Sequence, residues 1–407
     1  METINNIRNW ASILDDVTRL QAERTARLPI LAGPLALMPD AHLGVGATIG
    51  TVIPTESAVI PSAVGVDIGC GMAAMRTPFT IDVLLDRIRL ADWVTECART
   101  IPAGLGKWDA ESSTDADNWL RKNPSPETLA KPERAGVQLG TLGGGNHFIE
   151  LATDELNHVW VLLHSGSRGA GNQLATLHTR IAKEICKSAE ITLEDPELAW
   201  LQENTPEFEL YIRDLRWAQA YALENRRQLL ERAYQAVFNV LDWTYWTPLQ
   251  IINCHHNYTD LELVPCEKHV IDTSTTCDNC KFLWITRKGA IRAGVGEFGL
   301  IPGSMGQKSY IVKGKGNPLS YNSCSHGAGR VMSRRKAKQE LALGDFITDM
   351  EGVAWQNKSM ENLLDEAPRA YKPIDQVMRD QADLVEVVHE LKAVANYKGV
   401  ESSRRKH

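Results

Sequence analysis

Short apolar runs that end in glycine turns recur along this chain, and nearly every such turn carries a residue able to bind a metal or move a proton. A chain patterned in this way folds around sheets, with its chemistry on the loops that leave the strand ends. From Leu31 to Thr77, apolar and β-branched runs are cut by Gly and Pro, which predicts short strands joined by tight loops bearing Asp40, His42, Asp67 and Cys70. In VDIGCG, Asp67 and Cys70 stand three apart on a glycine-rich turn and can reach one metal ion together. A buried cysteine beside a turn aspartate is the plainer account of that pair alone. LGTLGGGNHFIELA sets Asn146 and His147 ahead of a predicted strand, and VWVLLH ends a second strand at His164 before opening into SGSRGAG. IINCHH delivers His255 and His256; adjacent strand residues face opposite sides, so only one of them serves a given site.

The stretch YNSCSHGAGRVMSRRKAK adds His326 on a turn without bulk. Gly327, Ala328 and Gly329 leave backbone N–H groups free to approach an anion, and Arg330, Arg334, Arg335 and Lys336 follow. Taken alone, the segment also reads as a tight turn before a basic helix. The chain carries a formal charge of -7, yet between Arg287 and Lys338 eleven Lys or Arg face one acid, Glu297. That segregation predicts a local anion-binding face, for polyphosphate or nucleic acid, on an acidic body.

The intervening sequence reads as scaffold. Residues 1–30, Ile81 to about Ala130, and the chain from Arg335 to its end near Lys398 are predicted helical, with an exposed polar loop over Glu111–Pro126. Residues 172–250 form a mostly helical segment with the clearest periodicity. With 407 residues, 43% of them hydrophobic, one large domain over 1–407 accommodates everything. No run approaches a membrane span and no export signal is evident, so the expected location is the cytoplasm, with eight cysteines serving as thiols or metal ligands. Within an insertion at 262–282, Cys266, His269, Cys277 and Cys280 are spaced as a small structural zinc site would be.

Asp67, Cys70, His147, His164 and His256 together offer one carboxylate, one thiolate and three imidazoles. That set suffices for two metal ions if the cysteine bridges them, and two ions can polarise a phosphoryl group while His326 stays free as a nucleophile. By softness, a thiolate with imidazoles favours zinc.

The strings MPDAHLG, VGVDIGCGM, LGTLGGGNHFIE, LHSGSRG, NCHHN, RKGA, IPGSMGQKSYIV and SCSHGAGRVMSR, with a terminal Lys-Gly, resemble the RtcB family of RNA ligases in number and order over nearly the whole chain. The resemblance implies a single large α+β domain with central β-sheets flanked by helices. It implies a GTP-dependent ligase joining an RNA 3′-phosphate or 2′,3′-cyclic phosphate to a 5′-hydroxyl, in RNA repair or tRNA splicing. Asp67, Cys70, His147, His164 and His256 would bind two Mn2+ rather than zinc, with Cys70 bridging, and His326 would carry GMP. Asn146, His147, Phe148, Ile149, Glu150, His256, Asn257, Pro302, Gly303, Ser304, Met305, Ser309, His326, Gly327, Ala328, Gly329 and Lys398 match the guanylate-binding positions. Glu150 and Lys398 would meet the guanine edge, and Arg168, Arg330 and Arg334 would face phosphates. An activating protein such as archease is a partner the resemblance leaves open. The Cys266–Cys280 insertion and the tail SSRRKH depart from the family pattern without touching these motifs. The same metal set also fits a dinuclear phosphatase or cyclic phosphodiesterase acting on RNA ends, which needs no His326, and the basic segment alone fits a non-catalytic RNA-end binder, which needs no Cys70.

Overall fold

Period-two alternation builds the larger of two main sheets in the computed structural model, which describes residues 1–104, 111–265, 280–355 and 360–399. Along His158–Ser165, Val159, Val161 and Leu163 face one side while Trp160, Leu162 and His164 face the other. The neighbouring strand Gly71–Thr80 follows suit, with Ala73 and Met75 on the first side and Met72 and Ala74 on the second. The strand order is Gln250–His255, Gly71–Thr80, His158–Ser165, Phe148–Thr153, Val385–Lys398, Lys308–Gly314 and Phe298–Ile301, and Ala354–Trp355 pairs with Val385–Lys398 off this path. The sheet curls until its two edge strands approach each other. Its inner face holds Met72, Ala74, Trp160, Leu162, Ile252, Leu300 and Leu391. At one end of that lining the apolar side chains give way to His164, Phe148, Glu150 and Lys398.

The outer face packs against the 36-residue helix Pro206–Leu241. Thr205 starts it by accepting from the Phe208 N–H, and Pro206 occupies the first turn, where its missing N–H costs nothing. Leu229, Leu230, Ala233, Val237 and Phe238 recur at helical spacing and form the buried stripe. Each such Leu, Val or Phe contributes about 1.5–3 kcal/mol by leaving water.

A second sheet runs in the order Glu2–Ile4, Ile7–Asn9, Leu35–His42, Ile49–Thr55, Lys281–Lys288 and Asn257–Val264. His256 lies where the chain leaves the first sheet at His255 and enters the second at Asn257. The result is the expected α+β domain with central sheets flanked by helices, and within residues 172–250 run most of the helix Arg168–Ser188 and all of Pro206–Leu241. Among the described residues no helix is long and apolar enough to cross a membrane.

Three predicted elements differ. The N-terminal helix begins only at Asp16, capped by Asp15. Before it, Glu2–Ile4 and Ile7–Asn9 form a hairpin turned by Asn5 and Asn6, at φ 52° and 62°. Asparagine tolerates that left-handed conformation, which a two-residue hairpin turn requires. The loop predicted over 111–126 contains the helix Thr114–Lys122, started by Ser113. Near the C-terminal end, Arg334–Glu340 and Leu343–Asp349 are helical, but Val385–Lys398 is a 14-residue strand in the middle of the larger sheet. Its Glu, Leu, Lys and Ala favour helix locally, and ladder pairing on both edges overrides them. Of the proposed zinc ligands, Cys266, His269 and Cys277 lie outside the described residues, as does the tail; Cys280 is described and half-buried.

Candidate metal centre and nucleotide pocket

Five side chains from four separate segments, with Asp67 and Cys70 on one turn, converge at the open end of the curled sheet. The Cys70 Sγ lies 3.3 Å from His164 Nε2 and 3.5 Å from His147 Nε2, and these three could hold one ion between them. His147 Nε2 is 3.0 Å from Asp67 Oδ2, and His164 Nε2 is 3.4 Å from His256 Nε2. The thiol therefore stands between two half-sites, one with Asp67 and His147 and one with His164 and His256. All five residues singled out as ligands in the sequence meet here.

Their surroundings prepare them for a cation. His164 directs Nδ1 to the Asn146 carbonyl at 3.0 Å, which leaves the Nε2 lone pair facing the cluster. Burial holds His164 and His256 well below the usual imidazole range, so both are neutral donors. Burial pushes the Asp67 carboxyl up, but hydrogen bonding and charge from His147 outweigh it and bring it to about 2. Burial and the Asp67 charge raise the Cys70 thiol well above its ordinary value, a balance that a bound cation inverts. Ser167 donates to Asp67 Oδ1 from its N–H at 3.0 Å, and Gly166 lets the loop approach: a Cβ there would sit 2.3 Å from that oxygen. The fully buried Arg226 ties the ligand-bearing segments together, donating to the carbonyls of Gly69 (2.6 Å) and Ser165 (3.1 Å) and to Asn253 Oδ1 (2.7 Å). His255 points away, with Nδ1 2.9 Å from the Gly69 carbonyl and 3.1 Å from Arg226.

Next to this centre stands His326, its ring 4.8 Å from that of His256. Its Nδ1 lies 2.6 Å from Oδ2 of the buried Asp40, and the same oxygen accepts from the N–H groups of His326 (3.0 Å) and Gly327 (3.2 Å). Burial acts to raise the Asp40 carboxyl, but the charge and hydrogen bond of His326 bring it below the ordinary value. In the neutral ring an ionised Asp40 holds the proton on Nδ1, which leaves the Nε2 lone pair free. His42, which burial lowers to about 4, stacks at 6.4 Å from His326.

A pocket opens on one side of His326. Asn146, Phe148, Glu150, Pro302, Gly303, Ser304, Met305, Ser309, His326, Gly327, Ala328, Gly329 and Lys398 line it, together with Arg330 and Arg334. Ile149 does not: its side chain faces the core on the other side of the sheet. Burial raises Glu150 to about 8 despite its 3.0 Å hydrogen bond from Asn396. Burial lowers Lys398, opposed by Glu366, whose Oε2 lies 3.1 Å from its Nζ. Glu366 also pairs with Arg334 and accepts from the Tyr371 hydroxyl at 2.9 Å. Glu366, Tyr371 and Asn396 are pocket residues that sequence reasoning missed, and His42, visible there as a loop residue, was not assigned to the site. Only Tyr371 and Glu366 lacked any motif; Asn396 stands two before Lys398, the spacing that puts both on one face of a strand.

On the other side a cleft of about 670 Å³ reaches Asp67, Cys70, His256 and Asn257, with Arg180, Lys183 and Lys288 on its walls. It shares His42, Asn146, His326, Arg330 and Arg334 with the pocket. Arg168 is buried, its Nε 3.3 Å from Thr141 Oγ1. Of the cations in Arg287–Lys338, Lys288, Arg330 and Arg334 line the pocket or the cleft, and part of the segment's charge is neutralised in the fold. Arg287 is buried on Glu262, Lys308 pairs with Glu390, and Arg330, Arg334 and Lys338 reach Glu366 or Asp365, acids that the fold brings from outside the segment.

The family model for tRNA-splicing ligase RtcB matches residues 21–399. RNA-splicing ligase RtcB of Escherichia coli K12 is 41% identical over 400 residues, covering 94% of each chain. The tRNA-splicing ligase RtcB of Nanoarchaeum equitans is 30% identical over 95% of this chain and 91% of its own length. The RNA-splicing ligase RtcB of Mycobacterium tuberculosis is 31% identical over 88% and 95%.

Proposed function

Because the chain belongs to the RtcB family of RNA-splicing ligases, we propose that it joins an RNA 3′-phosphate, or a 2′,3′-cyclic phosphate once water has opened it, to a 5′-hydroxyl with GTP as co-substrate. The observation that carries this reading is the position of His326, oriented by Asp40, beside the thiol-centred cluster of ligand-type side chains and between the pocket lined by Glu150 and Lys398 and an open cleft. Manganese ions held by Asp67, Cys70 and His147 and by Cys70, His164 and His256 would polarise phosphoryl oxygens and neutralise leaving groups.

The protein's own residues do the rest. Asp40 keeps the Nδ1 proton, and His326 Nε2 attacks the α-phosphorus of GTP; the bond to the β-phosphate oxygen breaks and pyrophosphate leaves. An oxygen of the RNA 3′-phosphate then attacks the same phosphorus, the P–N bond breaks, and the RNA carries GMP through a diphosphate bridge. The 5′-hydroxyl oxygen attacks the terminal RNA phosphorus, its proton is lost, and GMP departs. Glu150 and Lys398 bind the guanine edge, Arg330 and Arg334 hold phosphates against repulsion, and the buried Arg168 acts by its charge on Asp67 rather than on a phosphate. RNA repair or tRNA splicing in the cytoplasm, with or without an activating protein such as archease, is the setting that fits.

The test is to incubate the manganese-loaded protein with GTP labelled at the α- or the γ-phosphate and to examine the denatured polypeptide. Acid-labile label from the α-position only is the expected result. Label from neither, on a folded protein with metal bound, would move the weight to a metal-dependent phosphatase or cyclic phosphodiesterase.

A pH dependence follows from Glu150. To accept from the guanine N–H groups it must be ionised, whereas burial keeps its proton up to about pH 8. Binding of GTP then releases a proton, so apparent affinity rises with pH by up to about tenfold per unit below that value and levels off above it. Equilibrium titrations between pH 7 and 9 check this, and Glu150→Gln is expected to flatten the slope.

A further inference from the structure

The strand that carries Asp40 leaves its sheet just where it matters. Leu35–His42 pairs with Ile49–Thr55 at Ala36, Leu37 and His42, and the register shifts in between. The carbonyls of Pro39 and Ala41, flanking Asp40, are met instead by one ammonium group. Lys372 Nζ donates to Pro39 O at 2.9 Å, to Ala41 O at 2.7 Å and to Ile13 O at 2.6 Å, so all three of its N–H bonds are used. The residue is 3% exposed, and the carboxylates that act on its charge, Asp40 first and then Asp15 and Asp380, form no ion pair with it among the described residues. Its main-chain N–H donates to Gly329 O at 2.9 Å, at the end of the His326–Gly329 turn. That turn is pressed onto the same strand: at Gly329, φ 74°, a Cβ would lie 2.1 Å from the Asp40 carbonyl oxygen.

One residue thus grips both halves of the nucleophilic pair, the histidine's turn by its backbone and the aspartate's strand by its side chain. Burying an unpaired ammonium is costly, and neutral donors would satisfy the same carbonyls. The charge has a use in the field it places behind Asp40, which is itself buried and ionised.

We propose that Lys372 is a positioning residue for guanylate transfer: its ammonium fixes the Asp40 strand against the Gly329 turn so that Asp40 presents His326 with Nε2 free. The inference rests on the ligase reading and adds a residue that touches neither nucleotide nor metal. A merely structural lysine would weaken every step alike. A positioning lysine affects the step that uses His326 and spares the final sealing step, in which the histidine has already given up its GMP.

The experiment compares the full-length, manganese-loaded protein with Lys372→Met and Lys372→Gln. Three quantities are read for each: the single-turnover rate of labelling by α-labelled GTP, the GTP concentration giving half that rate, and sealing of an RNA whose 3′ end has been guanylylated beforehand. The Met variant is expected to label about 10–100-fold more slowly. Its half-saturating GTP and its sealing of pre-guanylylated RNA stay within about threefold of the unaltered protein. Should Lys372→Met lose its melting transition, Lys372→Gln, which keeps two donors without the charge, carries the comparison and is expected to show the same split. Equal losses in labelling and sealing, a change in half-saturating GTP alone, or unaltered labelling overturns the inference while the ligase reading stands. No label on the unaltered protein overturns both.

Discussion

Asp40→Asn is expected to slow the labelling of the protein by GTP about 10³–10⁴-fold, the scale on which an amide in place of an orienting carboxylate disables a catalytic histidine. His326→Ala is expected to abolish labelling altogether. The asparagine is nearly the shape of the aspartate, so the effect is one of proton placement. Asp40 Oδ2 lies 2.6 Å from His326 Nδ1 and also accepts from the N–H groups of His326 and Gly327. An amide oxygen in the Oδ2 place keeps all three bonds but lacks the charge that steadies an imidazolium; an NH2 in that place forfeits both N–H bonds and favours the tautomer with the proton on Nε2. The lone pair that should attack phosphorus is then occupied. Single-turnover labelling, measured beside the melting temperature and bound metal, separates this from damage to the fold; a loss below about tenfold would show that Asp40 does not set the tautomer.

The second large effect is expected at Cys70. The thiol is the one donor placed between the Asp67–His147 pair and the His164–His256 pair, at 3.5 Å from His147 and 3.3 Å from His164. Cys70→Ala leaves each half-site with two protein ligands and removes the negative charge that would hold two cations close together. Lewis-acid stabilisation of a phosphoryl transfer is worth several kcal/mol, and each 1.4 kcal/mol is about tenfold, so labelling and sealing should both fall by about 10³-fold or more. Metal analysis after loading with manganese and desalting checks the cause. Two ions per chain retained by the variant, with activity intact, would remove the thiol from the centre.

Much of this site was legible because glycine turns expose their chemistry. Asp67, Cys70, His147, His164 and His326 sit on or beside such turns and His256 at the end of a strand, and the fold brings all six together. Hidden were the residues whose meaning depends on partners hundreds of positions away. Asp40 was visible as a loop aspartate, but not as the orienter of His326. Lys372 and Glu366 lie in stretches with no turn signature, and only the fold shows what they hold. Charge counting overstated the net charge for a related reason: Glu262, Asp365, Glu366 and Glu390 arrive from elsewhere to meet Arg287, Lys308, Arg330, Arg334 and Lys338. The last strand, Val385–Lys398, was misread because composition spoke for helix while two flanking strands decided for sheet.

Arg226 carries one more implication. Its bonds to Gly69, Ser165 and Asn253 lock the segments around the ligands, and none of those bonds needs an ion. Bracing of this kind fixes the ligand-bearing segments by hydrogen bonds that are indifferent to which ion arrives, so it supplies no preference of its own between manganese and zinc. Imidazole and thiolate donors bind zinc more tightly than manganese in the usual order of divalent ions. On the proposed reading with manganese, the ion carried would then be set by the relative supply of free manganese and zinc where the protein is made, and fluctuations in that supply would become changes in its working fraction.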